Sequence, residues 1–485
     1  MSIFRAIVIF YSVFYLFSSL YGQSKITVNE NFDDFSNYIT DIITWQDSKG
    51  MPREVYFTKG IKNKPESTEK GFIVKTTYYA DNDVQVVCQP VKENGNETMA
   101  HAGLHYAADG GRHAATQLRD AYDFNISPIF LGENHLIYRI SFWMYASGRN
   151  NKVESSAFKV IIDWVFYNGL DHFLYSITYD CSRDYKKDGV PFTNDSRSPY
   201  TSFDWDGNGI KEEAISGLMY GTHRKFKTFD MKTWEYKEPN IVPFVWEWKT
   251  EDDREIGYVQ TETFTQQRGG GEGFGMGGDY EDHGYKYSDH GNLDTLDIWR
   301  MHYQMNGYQQ FKDNRITWGM PYGAVDGGYG TKAPYQCYTL AIILDKYSDN
   351  GVKNLIAETE LIHSKDLHFS VLSGEIITSG IEGPGNPNER AYSPAGYNHV
   401  LRTWELKAGK IQSIFNFDIN KGIYKNPVFV LHNYLGRVIP AKITLNGKKL
   451  KNQNDFLCSL DKKGKELYCT LLKQIRGKNK IVIVY

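Results

Sequence analysis

Along the chain, helix-period patterns of apolar and polar positions are scarce and strand patterns are frequent. Runs such as "HLIYRISFWMYA" (135–146), "SAFKVIIDWVFY" (156–167), "FLYSITYD" (173–180), "YTLAIILD" (338–345), "HFSVLSGEIITSG" (368–380), "PVFVLHNY" (427–434) and "NKIVIVY" (479–485) are short, rich in β-branched and aromatic residues, and bounded by Gly, Asn, Asp or Pro. That combination predicts strands. The best helical spacing is in "LDTLDIWRMHYQMNGYQQF", from Leu293 to Phe311. Many strands with few intervening helices predict an all-β protein of antiparallel sheets. No repeat of constant period with a common signature is visible, which favours β-sandwich domains over the alternative, a β-propeller.

The N-terminus departs from this pattern. Arg5 is followed by an uncharged stretch that lasts until Lys25. A basic start, an apolar centre and a small residue near the exit predict a signal peptide over 1–22, cut after Gly22. The alternative is a retained membrane anchor, because the stretch is nearly long enough to span a bilayer. No later segment is apolar enough to span. The mature chain is therefore expected to be secreted, periplasmic or held at the cell surface. The expected boundaries fall near Pro243 and Gly422, giving an N-terminal β domain over 23–243 that carries the calcium loop, a central β domain over 244–421 that carries the active site, and a small sandwich-like domain over 422–485.

Composition changes the picture in one respect. Net charge is -3 over 485 residues, which gives no electrostatic case for nucleic acid. Aromatic content, however, is 15%, with 35 Tyr. Aromatic rings suit pleated surfaces, and exposed ones such as Trp246, Trp248 and Trp318 would also suit the apolar side of a sugar. Of the five cysteines, Cys458 and Cys469 lie in "FLCSLDKKGKELYC". If Asp461 faces Glu466, Cys458 falls opposite Cys469, either as a cross-strand disulfide or as two core thiols on one sheet face. Cys88, Cys181 and Cys337 are too scattered to pair from sequence.

Four stretches hold candidate chemistry. In "FDWDGNGIKEEA", Asp204, Asp206, Asn208 and Glu212 place side-chain oxygens on alternate positions of a glycine turn, a spacing that can converge on Ca2+. The stretch resembles the short calcium loops of dockerins and integrin-type propeller repeats over about ten residues, which implies a structural calcium ion. The other reading is an ordinary Asp/Asn/Gly turn. Gly273, Gly275 and Gly278 satisfy a dinucleotide fingerprint in letter only, since the turn-rich "DYEDHGYKYSDHG" that follows is no helix former. "HAGLHYAADGGRH" carries His101, His105 and His113, but Gly103 weakens a helix that could present a metal pair. Surface or core histidines account for it, with Arg112 and His113 as possible substrate contacts.

The fourth stretch is the most informative. Between Tyr258 and Tyr338 the chain carries His283, Tyr285, Tyr287, His290, Arg300, His302, Arg315, Tyr322, Tyr329 and Lys332. Histidine and tyrosine exchange protons while arginine neutralises an anion, the inventory for abstracting a proton next to a carboxylate. In residue type the set resembles secreted polysaccharide lyases as a broad class. That resemblance implies β-elimination on a uronate-containing glycan, an acidic polysaccharide or oligosaccharide. A glycine cluster at Gly269 to Gly278 is expected to let a loop bring His283, Tyr285 and His290 to the sugar. His283 or His290 is the expected base, Tyr322 the acid toward the leaving oxygen and Arg315 the partner of the carboxylate. Two alternatives stay open: a glycoside hydrolase with paired carboxylates drawn from Asp279, Glu281, Asp282, Asp289, Asp294 and Asp297, and a non-catalytic glycan-binding protein. A tyrosine-rich core with a flexible loop would explain the same residues without chemistry.

Overall fold

The structure is a computed structural model that describes residues 25–35, 38–63, 70–71, 73–80, 84–88, 91–93, 96–98, 104–109, 122–145, 157–180, 182, 194–202, 217–220, 224–226, 242, 244–250, 253–262, 286–287, 291–292, 302–306, 315–320, 335–348, 351–440, 442–461, 463 and 465–485. It is an all-β protein of antiparallel sheets in sandwich arrangement, with one helix among the described residues. Among those residues no helix is long and apolar enough to cross a membrane.

A five-stranded sheet over Thr27–Cys88 lies against one face of a nine-stranded sheet. Aromatic rings join them: Trp45 meets Phe166 at 5.0 Å between centroids, and Phe57 stacks on Tyr138 at 4.9 Å. Towards one edge of the nine-stranded sheet lie the paired strands His135–Tyr145 and Ala157–Tyr167, in unbroken register from His135 opposite Tyr167 to Tyr145 opposite Ala157. Val160, Ile162, Trp164 and Phe166 share one face of this strand, and Ile161, Val165 and Tyr167 the other; all are buried. Both faces being covered explains why the run reads as nearly continuous apolar sequence.

The second face is covered by the helix Gly351–Ile362, whose Val352, Leu355, Ile356 and Thr359 fall at i, i+3, i+4 and i+7 and are buried. Gly257 permits the close approach, since a Cβ there would sit 2.6 Å from Val352. The helix expected over Leu293–Phe311 is overturned where the chain is described: His302–Asn306 is a strand. Tyr303 and Met305 alternate with His302, Gln304 and Asn306, and this period of two prevails. Trp246 and Trp248 are buried in the core beneath the helix, so they are not exposed platforms.

Beyond the helix, Leu367–Val484 forms a second sandwich of two sheets around Trp404, Phe415, Phe417 and Phe429. Within it Thr403–Lys407 and Val428–His432 run parallel. The expected boundary at Gly422 falls inside the strand Gln412–Lys425, at a register shift where the glycine has a φ of 104°. Pro243 immediately precedes the strand Phe244–Lys249, which belongs to the nine-stranded sheet.

The two sandwiches dock through polar groups. His135 bonds Ser459 and Thr470, each at 2.9 Å, and Asn134 Nδ2 donates to the carbonyl of Cys458 at 2.9 Å. Cys458 and Cys469 are directly opposite, as are Asp461 and Glu466. The register is as expected; both thiols are free and buried, so the core-thiol alternative holds over the disulfide.

Candidate functional site

A four-stranded sheet gathers the segments of greatest chemical interest, in the order His302–Asn306, Arg315–Met320, Asn194–Ser202, Leu104–Asp109. Directly paired residues share a face. One row across the sheet is His302, Gly319, Arg197, Tyr106. The next is Gln304, Thr317, Tyr200, Leu104, and the third is Asn306, Arg315, Ser202. Since Gly319, Thr317 and Arg315 are two residues apart in turn, all three rows lie on one face.

Arg197 and Tyr200 are three residues apart, and regular alternation would put them on opposite faces. A register shift between them, in the pairings with both neighbours, restores them to the same one. Ser198 and Pro199 supply the extra residue, and proline, lacking an N–H, suits a bulge. The reverse face holds Met320, Trp318 and Ile316 with Tyr303 and Met305 beside them, and Asn194, Ser196, Thr201, Ala107 and Asp109 on the other two strands. Asp195, two residues before Arg197 and opposite Ala108, completes the polar face.

This arrangement joins the two stretches "HAGLHYAADGGRH" and 258–338. Of the expected site residues, Arg315 opens its strand on the polar face, opposite Ser202 and Asn306. His283, Tyr285, His290 and Tyr322 lie outside the described residues, as do Asp204, Asp206, Asn208 and Glu212. The glycine cluster and the acids from Asp279 to Asp297 lie outside them too. Among the described residues no group of three or more His, Cys, Asp or Glu could hold a metal ion. Sequence reasoning missed Tyr106, Arg197 and Tyr200. Their only local signal was a polar-aromatic alternation, interrupted in "SRSPY" by a proline that reads as a turn.

The strands His302–Asn306 and Arg315–Met320 belong to the segment between the strands Arg254–Gln260 and Tyr335–Lys346, and one C-terminal stretch secures both ends of that segment. At the first end, Glu262 forms a buried ion pair with Arg390, and His399 Nε2 lies 3.9 Å from the same carboxylate. His363 Nε2 is 3.0 Å from the carbonyl of Thr261, and burial pulls the imidazole down to about 4, so it is neutral at pH 7 and this nitrogen donates. At the second end, Cys337 Sγ donates to the carbonyl of Glu382 at 3.1 Å, while Gly383 sits close against Cys337 and Thr178. His399 Nε2 reaches that Glu382 carbonyl at 3.1 Å, its imidazole also lowered by burial. Glu405 braces the stretch from behind, accepting from Tyr392 at 3.2 Å and from Asn398 at 2.6 Å.

No family model and no curated protein matches the chain. Among solved structures it is similar to a polysaccharide lyase, at 8% sequence identity and a TM-score of 0.25. The match covers 94% of this chain and 46% of that one, so the chain spans under half the length of that structure. The functional reading therefore rests on this chain's own residues.

Proposed function

We propose that the protein is a polysaccharide lyase that cleaves a uronate-containing glycan by β-elimination. The observation that supports it most is the polar face on which Tyr106, Arg197, Tyr200, His302 and Arg315 share one sheet. The reaction needs a base for the proton beside the carboxyl group, a cation for the charge that builds on that group, and an acid for the departing sugar oxygen. The electron pair of the broken C–H bond forms the new C=C bond as the C–O bond to the leaving sugar breaks. Arg315 is assigned to the carboxylate, because a planar guanidinium can hold both oxygens as charge develops. His283 or His290 is assigned as base, with Tyr285 beside them, and Tyr322 as acid. A histidine titrating near about 6.5 accepts a proton at neutral pH, whereas a tyrosine near about 10 needs neighbouring positive charge first. His302, paired with Gly319 in the sheet, is the next nominee for the base.

In the same reading the chain is exported by its first 22 residues, and Asp204, Asp206, Asn208 and Glu212 hold a structural calcium ion; the support for both is the sequence spacing. A panel of acidic polysaccharides tests the function. Products carrying an unsaturated uronate, read by ultraviolet absorbance, are the expected result. New reducing ends without that absorbance mean hydrolysis, and binding without products means a glycan-binding protein; either outcome overturns the lyase. If His283→Ala and His290→Ala both keep near-normal turnover, the base is elsewhere and His302→Ala becomes the deciding variant.

A further inference from the structure

We infer that one end of the C-terminal sandwich is a docking tip for an anionic lipid surface, with Ile411, Leu435 and Val438 entering the acyl boundary and Lys410, Arg437, Lys442 and Lys465 meeting the headgroups. The inference stands apart from the lyase reading and uses none of its residues.

The apolar part comes from two loops held together. Ile411, Val438 and Leu435, at 75%, 72% and 62% exposure, are the three most exposed large hydrophobic residues among those described. Scattered singly they would need no explanation, but they are gathered. Ala408 N–H donates to the carbonyl of His432 at 2.7 Å, and Tyr485 N–H to that of Ile411 at 3.2 Å. The rings of Tyr485 and Tyr434 meet edge to face at 4.8 Å between centroids, and the Tyr434 hydroxyl donates to the carbonyl of Val438 at 2.9 Å. Gly436 lets the chain fold back over the Tyr434 ring, which a Cβ there would run into. Tyr434 lies in the core and Ile439 packs against it, so the loop is pinned at both ends with Leu435 and Val438 held outward. A loop fixed in this way presents apolar area that does not have to be ordered on binding.

Charge selects the occupant. From 408 to 485 the chain has fifteen lysines and arginines against four aspartates and glutamates, although its net charge over 485 residues is -3, so the rest of the chain is acidic. At the tip, Lys410 adjoins Ile411 and Arg437 adjoins Val438, Lys442 is opposite Val484, and the Lys465 carbonyl accepts from the Tyr434 N–H at 2.7 Å. All four cations are exposed, and none is in an ion pair among the described residues. Of the acids nearby in the fold, Glu375 is held by Lys407 at 3.0 Å and Glu466 by His432 at 2.8 Å. Aliphatic side chains offer little to a hydrated glycan, whereas aliphatic tips ringed by cations match acyl chains beneath anionic headgroups. The same surface repels the acidic remainder of the chain, which turns the basic sandwich toward it.

Vesicles of phosphatidylcholine with and without phosphatidylglycerol test it on the full chain, by co-sedimentation at low and physiological salt. The protein should partition onto the anionic vesicles about tenfold or more better than onto the neutral ones, and salt should weaken that binding. Leu435→Ser/Val438→Ser should lower it by about tenfold or more, and Arg437→Gln or Lys442→Gln by about fivefold each. These side chains are exposed, so melting curves should not move. Should the double variant fail to fold, Val438→Trp decides, through quenching by brominated lipid in excess of that in the wild type. No vesicle binding, equal binding to both vesicles, anionic binding that survives Leu435→Ser/Val438→Ser in a folded protein, or no excess quenching in Val438→Trp would each overturn the inference. Self-association of the wild type that the double variant loses, without vesicle binding, would overturn it too, because the occupant is then a second copy of the chain.

Discussion

The C-terminal sandwich and the four-stranded sheet use the same period of two for opposite ends. In the sandwich, both sheets turn their aromatic faces inward around Trp404, and buried charge is satisfied within the fold, as where Glu405 accepts from Tyr392, Asn398 and Thr403. Its alternation is spent on a dry core. The four-stranded sheet instead brings His302, Arg197, Tyr200 and Arg315, from three different strands, onto one face by register. Residue types gathered from distant strands onto one face are a pointer to function.

The sharpest break in that contrast is Trp404→Ala. Its ring meets Phe369, Tyr397 and Phe417, and its indole N–H donates to Tyr424 at 3.2 Å, so the cavity should cost about 3 to 5 kcal/mol in equilibrium unfolding. A loss under about 1 kcal/mol would mean the sandwich core is not built as described. Glu262→Ala should follow, at about 3 kcal/mol or somewhat more, because Arg390 is left charged and buried without its partner. The double variant Glu262→Met/Arg390→Met should recover most of the loss, and its failure to do so would show that the pair does more than neutralise itself.

On the other side of the comparison, Arg315→Ala should lower turnover on a cleaved glycan by about a hundredfold to a thousandfold, with the melting temperature little changed. A large drop in melting temperature would make Arg315 a structural residue and erase the distinction between the two regions.

Acidity and alkalinity separate the regions more gently. Burial pulls His135 down to about 3, below the unfolded value, so the stability from keeping it neutral is present above about pH 6.5 and is lost as pH falls toward 3. Burial alone would lower His432 as well, but Glu405 and Glu466 overcome it and lift it to about 10. Its contribution is full below about pH 6.5 and lost as pH rises toward 10. Denaturant midpoints should therefore peak near neutral pH, and His432→Gln should flatten the alkaline limb alone. The smallest effect expected is that of a chelator, a melting temperature lower by a few degrees and insensitive to chelator in Asp206→Ala. An unchanged curve in the wild type would remove the calcium loop from the account.

Much of the fold was legible because burial on one or both faces writes itself into the order of residues. The hairpin at 135–167, the strand 474–484 and the opposition of Cys458 to Cys469 follow from alternation and turn position alone. The helix Gly351–Ile362 was equally written, in the spacing of Val352, Leu355, Ile356 and Thr359, and was overlooked for the longer apolar run after Leu293. Gly422 shows the limit of a local signal: a glycine can mark a boundary or a bulge within a strand, and only the partner strand, which pairs with Ile419 on one side and Tyr424 on the other, distinguishes them.

The candidate site sat beyond that limit. By itself the sequence determined the all-β class, most of the strands named from it, and the kinds of chemistry the chain can carry, since all three depend on neighbours in the chain. That Tyr106, Arg197, His302 and Arg315 share a face was decided only by tertiary structure. Strands separated by about a hundred residues or more must pair first, and whether Arg197 and Tyr200 lie together depends on a bulge whose extra residue has meaning only against the strands on either side.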